Sequence, residues 1–136
     1  MTAKEYLSQA RRLQARLDQL EQARERAWEK ATATTSNGSM PVSGGDISRK
    51  TESFAELTSI IDSEYDELCA VKADILKTIS LIKDNRYAAL LIAYYINGLT
   101  WAETAEALGY TFEHVARELH PRALNVVDRL IREKMS

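Results

Sequence analysis

His114, His120 and Cys69 are the only imidazole and thiol side chains in the chain, which limits nucleophilic and metal chemistry from the outset. Structural zinc takes about four Cys or His ligands, so these three cannot make such a site. A single cysteine closes no internal disulfide, and Cys69, between Leu68 and Val71, reads as a small buried apolar residue. No Gly-rich phosphate loop and no nucleophile–base set accompanies the histidines, so an enzyme is not expected and no cofactor is implied. Chemistry of another kind is available between Thr111 and Glu118. Arg117 carries the paired donors that match a guanine edge, Glu113 can accept from a cytosine amine, and Phe112 offers an apolar face to a thymine methyl.

Those side chains matter only if a helix presents them, and the local signals predict one. Thr100 followed by Glu103 is a capping box that starts a short helix. Ala105 and Leu108 face inward with Thr104, and Gly109 supplies a tight turn. Thr111 caps a second helix, which Val115 and Leu119, four apart, anchor to a core. Two short helices joined by a brief Gly-containing turn form the pattern of a helix-turn-helix. The first residues of its second helix enter the major groove of double-stranded DNA. Thr111, Phe112, Glu113, His114, Arg117 and Glu118 are therefore the expected base-facing residues, with His120 at the helix end making a hydrogen bond or a phosphate contact. The alternative for this face is a solvated surface on a packing unit.

Upstream, Ala3, Tyr6, Ala10, Leu13, Leu17, Leu20, Arg24 and Ala27 step by three and four, predicting a helix over about 2–30 with Thr2 and Glu5 as its capping box. Residues 31–46 are small, polar and rich in Gly, the composition of a flexible linker. Phe54, Leu57, Ile61, Tyr65, Leu68, Lys72, Ile75, Ile79 and Ile82 predict a second helix over about 47–83, folded back on the first as an antiparallel hairpin arm. Trp28, near the end of the first helix, is expected to pack on this hairpin or on a partner. Asp62, Glu64, Asp66 and Glu67 read as a solvated acidic face. A third helix, capped at Asp84-Asn85, is nearly all apolar up to Asn97-Gly98. Pro121 is tolerated at the first position of a helix, so the reading helix is expected to end at His120 and another to begin. That last helix buries Leu124, Val127, Leu130 and Ile131 and leaves Arg122, Arg129, Arg132 and Lys134 exposed, the three arginines as contacts to the phosphate backbone. The expected fold is all-α: an arm over 1–83, then a helix-turn-helix domain over 84–136 that folds on its own.

Composition agrees with a helical chain: 136 residues, 45% hydrophobic and 28% charged, with 5 Gly and 2 Pro. The formal charge of -2 gives no overall basic footprint. Residues 99–120 set Arg117 against Glu103, Glu106, Glu113 and Glu118, a local -3, so affinity is expected to need dimerisation through the arm or a second partner. No apolar run reaches the length that spans a bilayer, and nothing resembles a signal peptide. A cytoplasmic location is expected.

The run Tyr95-Ile96-Asn97-Gly98-Leu99-Thr100, then Trp101-Ala102-Glu103-Thr104-Ala105, Leu108-Gly109-Tyr110-Thr111, and Val115 through Leu119-His120-Pro121-Arg122-Ala123-Leu124, resembles the fourth conserved region of bacterial sigma factors. The match spans about 84–125. With the helical arm ahead of it, the layout is similar to small phage-encoded transcriptional regulators of the late-gene activator type. The resemblance implies promoter DNA as ligand and RNA polymerase as a possible second partner. Thr104, where that family has an apolar β-branched residue, and Pro121 depart from the pattern. Two other readings stay open: the DNA-recognition subunit of a phage packaging machine, and an interaction module whose helix-turn-helix no longer binds DNA.

Overall fold

The computed structural model describes residues 1–36 and 44–135, with side chains for 1–30 and 52–134. Every regular element among them is helical. Helix α1 spans Ala3–Ser36 and α2 spans Gly44–Ile79. Both trespass on the expected linker, for 31–36 and 44–46 are helical; its remainder, 37–43, lies outside the described residues. Helix α2 stops short of Lys83, closing with bonds from the Leu81 N–H to the Thr78 carbonyl and from the Ile82 N–H to the Ile79 carbonyl. Then come α3 (Asn85–Leu91), which continues as a π-turn over Ile92–Ile96, α4 (Trp101–Leu108) and α5 (Phe112–His114). A second π-turn, Val115–Leu119, leads from α5 straight into α6, His120–Met135.

The chain forms two compact units, and they do not divide at residue 84. One comprises residues 1–12 with 69–136, the other 13–68. The core of the first unit gathers Ala3, Leu7 and Ala10 from α1 and Ile75, Ile79 and Ile82 from in and just after α2. Leu90, Leu91, Tyr95, Ala105, Val115, Leu119, Ala123 and Val127 complete it. Six of these buried residues lie outside 84–136, so the compact unit is larger than the expected 84–136 domain. The seam of α1 is also shifted: Leu7 is fully buried where the spacing pointed to Tyr6, which is half-buried. A stripe stepping 3, 7, 10 and one stepping 3, 6, 10 both satisfy helical periodicity; the partner surface chooses between them.

The start of α1 is held by polar groups as well. The Thr2 hydroxyl accepts from the Glu5 N–H at 3.2 Å, and the Asp128 carboxylate accepts from the Ala3 N–H at 2.7 Å, so α6 supplies a cap to α1. Tyr6 donates to Asp74 at 2.5 Å and shares a 3.0 Å hydrogen bond with buried Thr78, which also accepts from Lys134 Nζ at 2.8 Å. Burial, followed by the neighbouring Asp74, raises the Tyr6 hydroxyl to about 12, so it stays protonated and satisfied. Lys134, exposed as expected, also donates to this network.

In the second unit Leu17, Ile61 and Leu68 are buried, with Leu13, Leu20 and Leu57 against them. Trp28 meets Phe54 at a ring separation of 5.4 Å while Leu17 sits with Ile61 and Leu68, so position rises along α1 as it falls along α2. Tyr65 donates to Glu21 at 2.5 Å, and Arg16 pairs with Glu64 at 3.1 Å. The expected acidic face is therefore not wholly solvated: Glu64 turns in to meet Arg16. Among the described residues no helix is long and apolar enough to cross a membrane. Cys69, expected to be buried, is exposed; it lies one step past the Ile61–Leu68–Ile75 stripe and so faces outward.

Candidate nucleic-acid interface

Helix α4 begins as its sequence dictates. The Thr100 hydroxyl accepts from the Glu103 N–H at 3.1 Å and the Glu103 carboxylate accepts from the Thr100 N–H at 3.1 Å, a reciprocal box that satisfies two orphan donors. Accepting that backbone bond holds the Glu103 carboxyl below its usual range. The helix ends at Gly109, whose φ of 76° is a left-handed conformation that costs a Cβ-bearing residue about 1–2 kcal/mol. The Gly109 N–H bonds to the Glu106 carbonyl and the Tyr110 N–H to the Ala105 carbonyl, closing the last turn. Thr111 then caps α5, its hydroxyl accepting from the His114 N–H at 3.2 Å.

Val115 and Leu119, both with no exposed surface, fix this segment to the core, and the remaining positions divide between solvent and a groove. Thr111, Phe112, Glu113, Arg117 and Glu118 are exposed, Phe112 by 52%, a large apolar ring left in water. His114 is half-buried, with Nδ1 3.1 Å from a Glu118 oxygen and its ring 5.2 Å from that of Tyr110. Arg122, Arg129 and Arg132 are exposed on α6, which buries Ala123 and Val127 and half-buries Leu124, Leu130 and Ile131.

His120 does not join the exposed set. The helix does not end there: a π-turn runs straight into α6 ahead of Pro121. Proline lacks the N–H for the carbonyl four residues back and its ring crowds that carbonyl. Here the His120 N–H bonds instead to the Val115 carbonyl, five back, and the widened coil runs on into α6. His120 consequently sits mid-helix and faces inward, sharing a 2.8 Å hydrogen bond between Nε2 and the Tyr95 hydroxyl and lying edge-on to Trp101 at 4.4 Å. Burial, and then the charge of Lys4, pushes its imidazole down to about 4. A half-buried imidazole bonded to Tyr95 is a packing group: His120 makes the hydrogen bond expected of it, from within a helix rather than at a helix end.

Tyr94, Tyr95 and Trp101 gather around His120. Tyr94 and Trp101 stack in parallel at 3.7 Å. Arg11 lies over the Tyr94 ring, 4.1 Å from its centroid, and donates to the Tyr94 carbonyl at 2.6 Å and the Leu99 carbonyl at 3.3 Å. Arg11 thus ties a carbonyl of the π-turn to one just before α4. Lys4, Ser8, Arg11 and Arg12 line a groove of about 410 Å³ with Tyr94, Tyr95, Trp101, Ala116 and His120. The adjacent arginines at 11 and 12 were the one hint in the sequence, and nothing within α1 says what they adjoin.

Charge separates along the same division. Residues 1–12 and 69–136 hold twelve Lys and Arg against nine Asp and Glu, a net of +3; residues 13–68 hold six against eleven, a net of -5. The whole-chain value of -2 conceals a basic unit and an acidic one. Set against known protein families, characterised protein sequences and solved structures, the chain matches none of them.

Proposed function

We propose that the unit formed by 1–12 and 69–136 is a helix-turn-helix that binds double-stranded DNA in sequence-specific regulation of transcription, of the phage or prophage kind that the sequence resembles. The observation that carries this reading is the pair of short helices at 101–108 and 112–119. They are joined by a turn at a left-handed glycine, and the second is anchored by Val115 and Leu119 with Phe112, Glu113 and Arg117 outward. The unit's net charge of +3 supports it, since phosphate neutralisation supplies most non-specific affinity for a duplex. Arg117 reads a guanine edge, while Arg122, Arg129 and Arg132 meet phosphates. The acidic second unit, with Trp28 and Ile60 about half exposed, serves self-association or contact with RNA polymerase in the cytoplasm.

The test is selection of the full-length protein against a duplex library at low salt. A common site should emerge. Arg117→Ala should weaken it by about 1–3 kcal/mol and relax one base position. Retention of no duplex near 50 mM salt would defeat the reading and favour an interaction module, for which Glu113 and Glu118 beside Arg117 are the specific support.

A further inference from the structure

The reading helix carries a difficulty: within 99–120 Arg117 stands against four glutamates. Compensation is available from the opposite end of the chain. Lys4, Ser8 and Arg12 are four apart and share one face of α1. They line one wall of the groove whose other wall includes Ala116 and His120, next in sequence to Arg117 and Leu119. Lys4 and Arg12 are exposed at this wall. Arg12 donates to the Glu5 carbonyl at 3.4 Å, too long a bond to hold a guanidinium against a better acceptor. Arg11 is spent on Tyr94 and Leu99 and fastens the helix in place.

The geometry points to the first three turns of α1 as a second phosphate-binding element, in which Lys4 and Arg12 contact the DNA backbone beside the groove that the 112–119 helix enters. This deepens the DNA-binding reading and rests on it. A helix lying in the major groove has a phosphate strand on each flank, and cations on a neighbouring element held rigidly beside it meet that strand without a new folding step. The N-terminal turns thus give the acidic motif the positive edge that it lacks in its own segment.

Salt titration of duplex binding separates the possibilities, because each phosphate contact adds about 0.9 to the magnitude of the slope of log K against log salt. The double variant Lys4→Gln/Arg12→Gln of the full chain should flatten that slope by about 1.8. It should keep the base preference of the wild type, which Arg117→Ala changes. The charge-preserving Lys4→Arg/Arg12→Lys should keep the wild-type slope, showing that any loss in the glutamine variant is not misfolding. Lys77→Gln/Lys83→Gln, which removes the same charge away from the groove, should leave the slope unchanged. If the wild type binds duplex and the two glutamine doubles alter the slope equally, or neither alters it, the inference fails while the DNA-binding reading stands. If the wild type binds no duplex, both fail together.

Discussion

Arg11 and Tyr94 meet twice, the guanidinium donating to the Tyr94 carbonyl at 2.6 Å while lying over the Tyr94 ring at 4.1 Å. Residues 83 positions apart in sequence are thereby joined, and the start of α1 becomes part of the unit that holds the candidate interface. Replacing Arg11 by Ala removes a charged donor from two carbonyls and a ring. Such a loss costs about 1.5–3 kcal/mol for a hydrogen bond to a charged group. Arg11→Lys should recover only part of it, since a single ammonium does not reproduce the planar fork. Urea unfolding of the three proteins measures both; equal stability of Arg11→Ala and wild type would show that the contact contributes nothing.

A fragment of residues 84–136 should show no cooperative thermal transition by circular dichroism. It lacks Ala3, Leu7, Ala10, Ile75, Ile79 and Ile82, all buried in the same core. In the full chain the corresponding point test is Leu7→Ala, which should cost about 2–5 kcal/mol, the range for a fully buried leucine. A well-folded fragment, or a Leu7→Ala protein as stable as wild type, would contradict the shared core.

Thr104 is completely buried and its hydroxyl has no hydrogen-bond partner. Burying an unsatisfied hydroxyl carries a penalty of about 1–3 kcal/mol. Thr104→Val replaces that hydroxyl with a methyl of similar shape, so it should raise the unfolding free energy by about 1 kcal/mol or more. A drop in stability in chemical denaturation would mean that the hydroxyl is satisfied in solution.

His120 should make stability fall on mild acidification. In the unfolded chain its imidazole takes a proton near 6.5, whereas in the folded protein enclosure beside Trp101 and Tyr95 and the nearby Lys4 delay protonation to about 4. The unfolded state binds the proton more readily over that interval. Stability from this site is therefore complete above about 6.5 and declines as pH drops toward about 4. Comparing wild type with His120→Gln between pH 7 and 5 isolates the effect, because the glutamine can still bond to Tyr95 but does not titrate. Identical slopes for the two proteins would refute it.

What the sequence determined by itself is what neighbours within four or five residues decide. The capping box of Thr100 and Glu103, the left-handed turn at Gly109, the Thr111 cap, the Val115–Leu119 anchor and the Ile61–Leu68–Ile75–Ile79 stripe all follow from short-range bonding or helical periodicity. These features make the all-helical class and the exposed face of 112–118 legible in the sequence. The tertiary structure decided the rest, because the deciding contacts span most of the chain. Whether Leu7 or Tyr6 faces inward depends on the surface that receives α1, with Asp128 capping Ala3 across 125 positions. The local rule for proline assumes an α-helical carbonyl behind it and so predicts a break at Pro121, whereas the chain there leaves a π-turn in which the Val115 carbonyl accepts from the His120 N–H. The basic edge at Lys4 and Arg12 was hidden for the same reason. A charge's neighbours across a fold are set by packing, and no spacing within α1 encodes the helix beside which it lies.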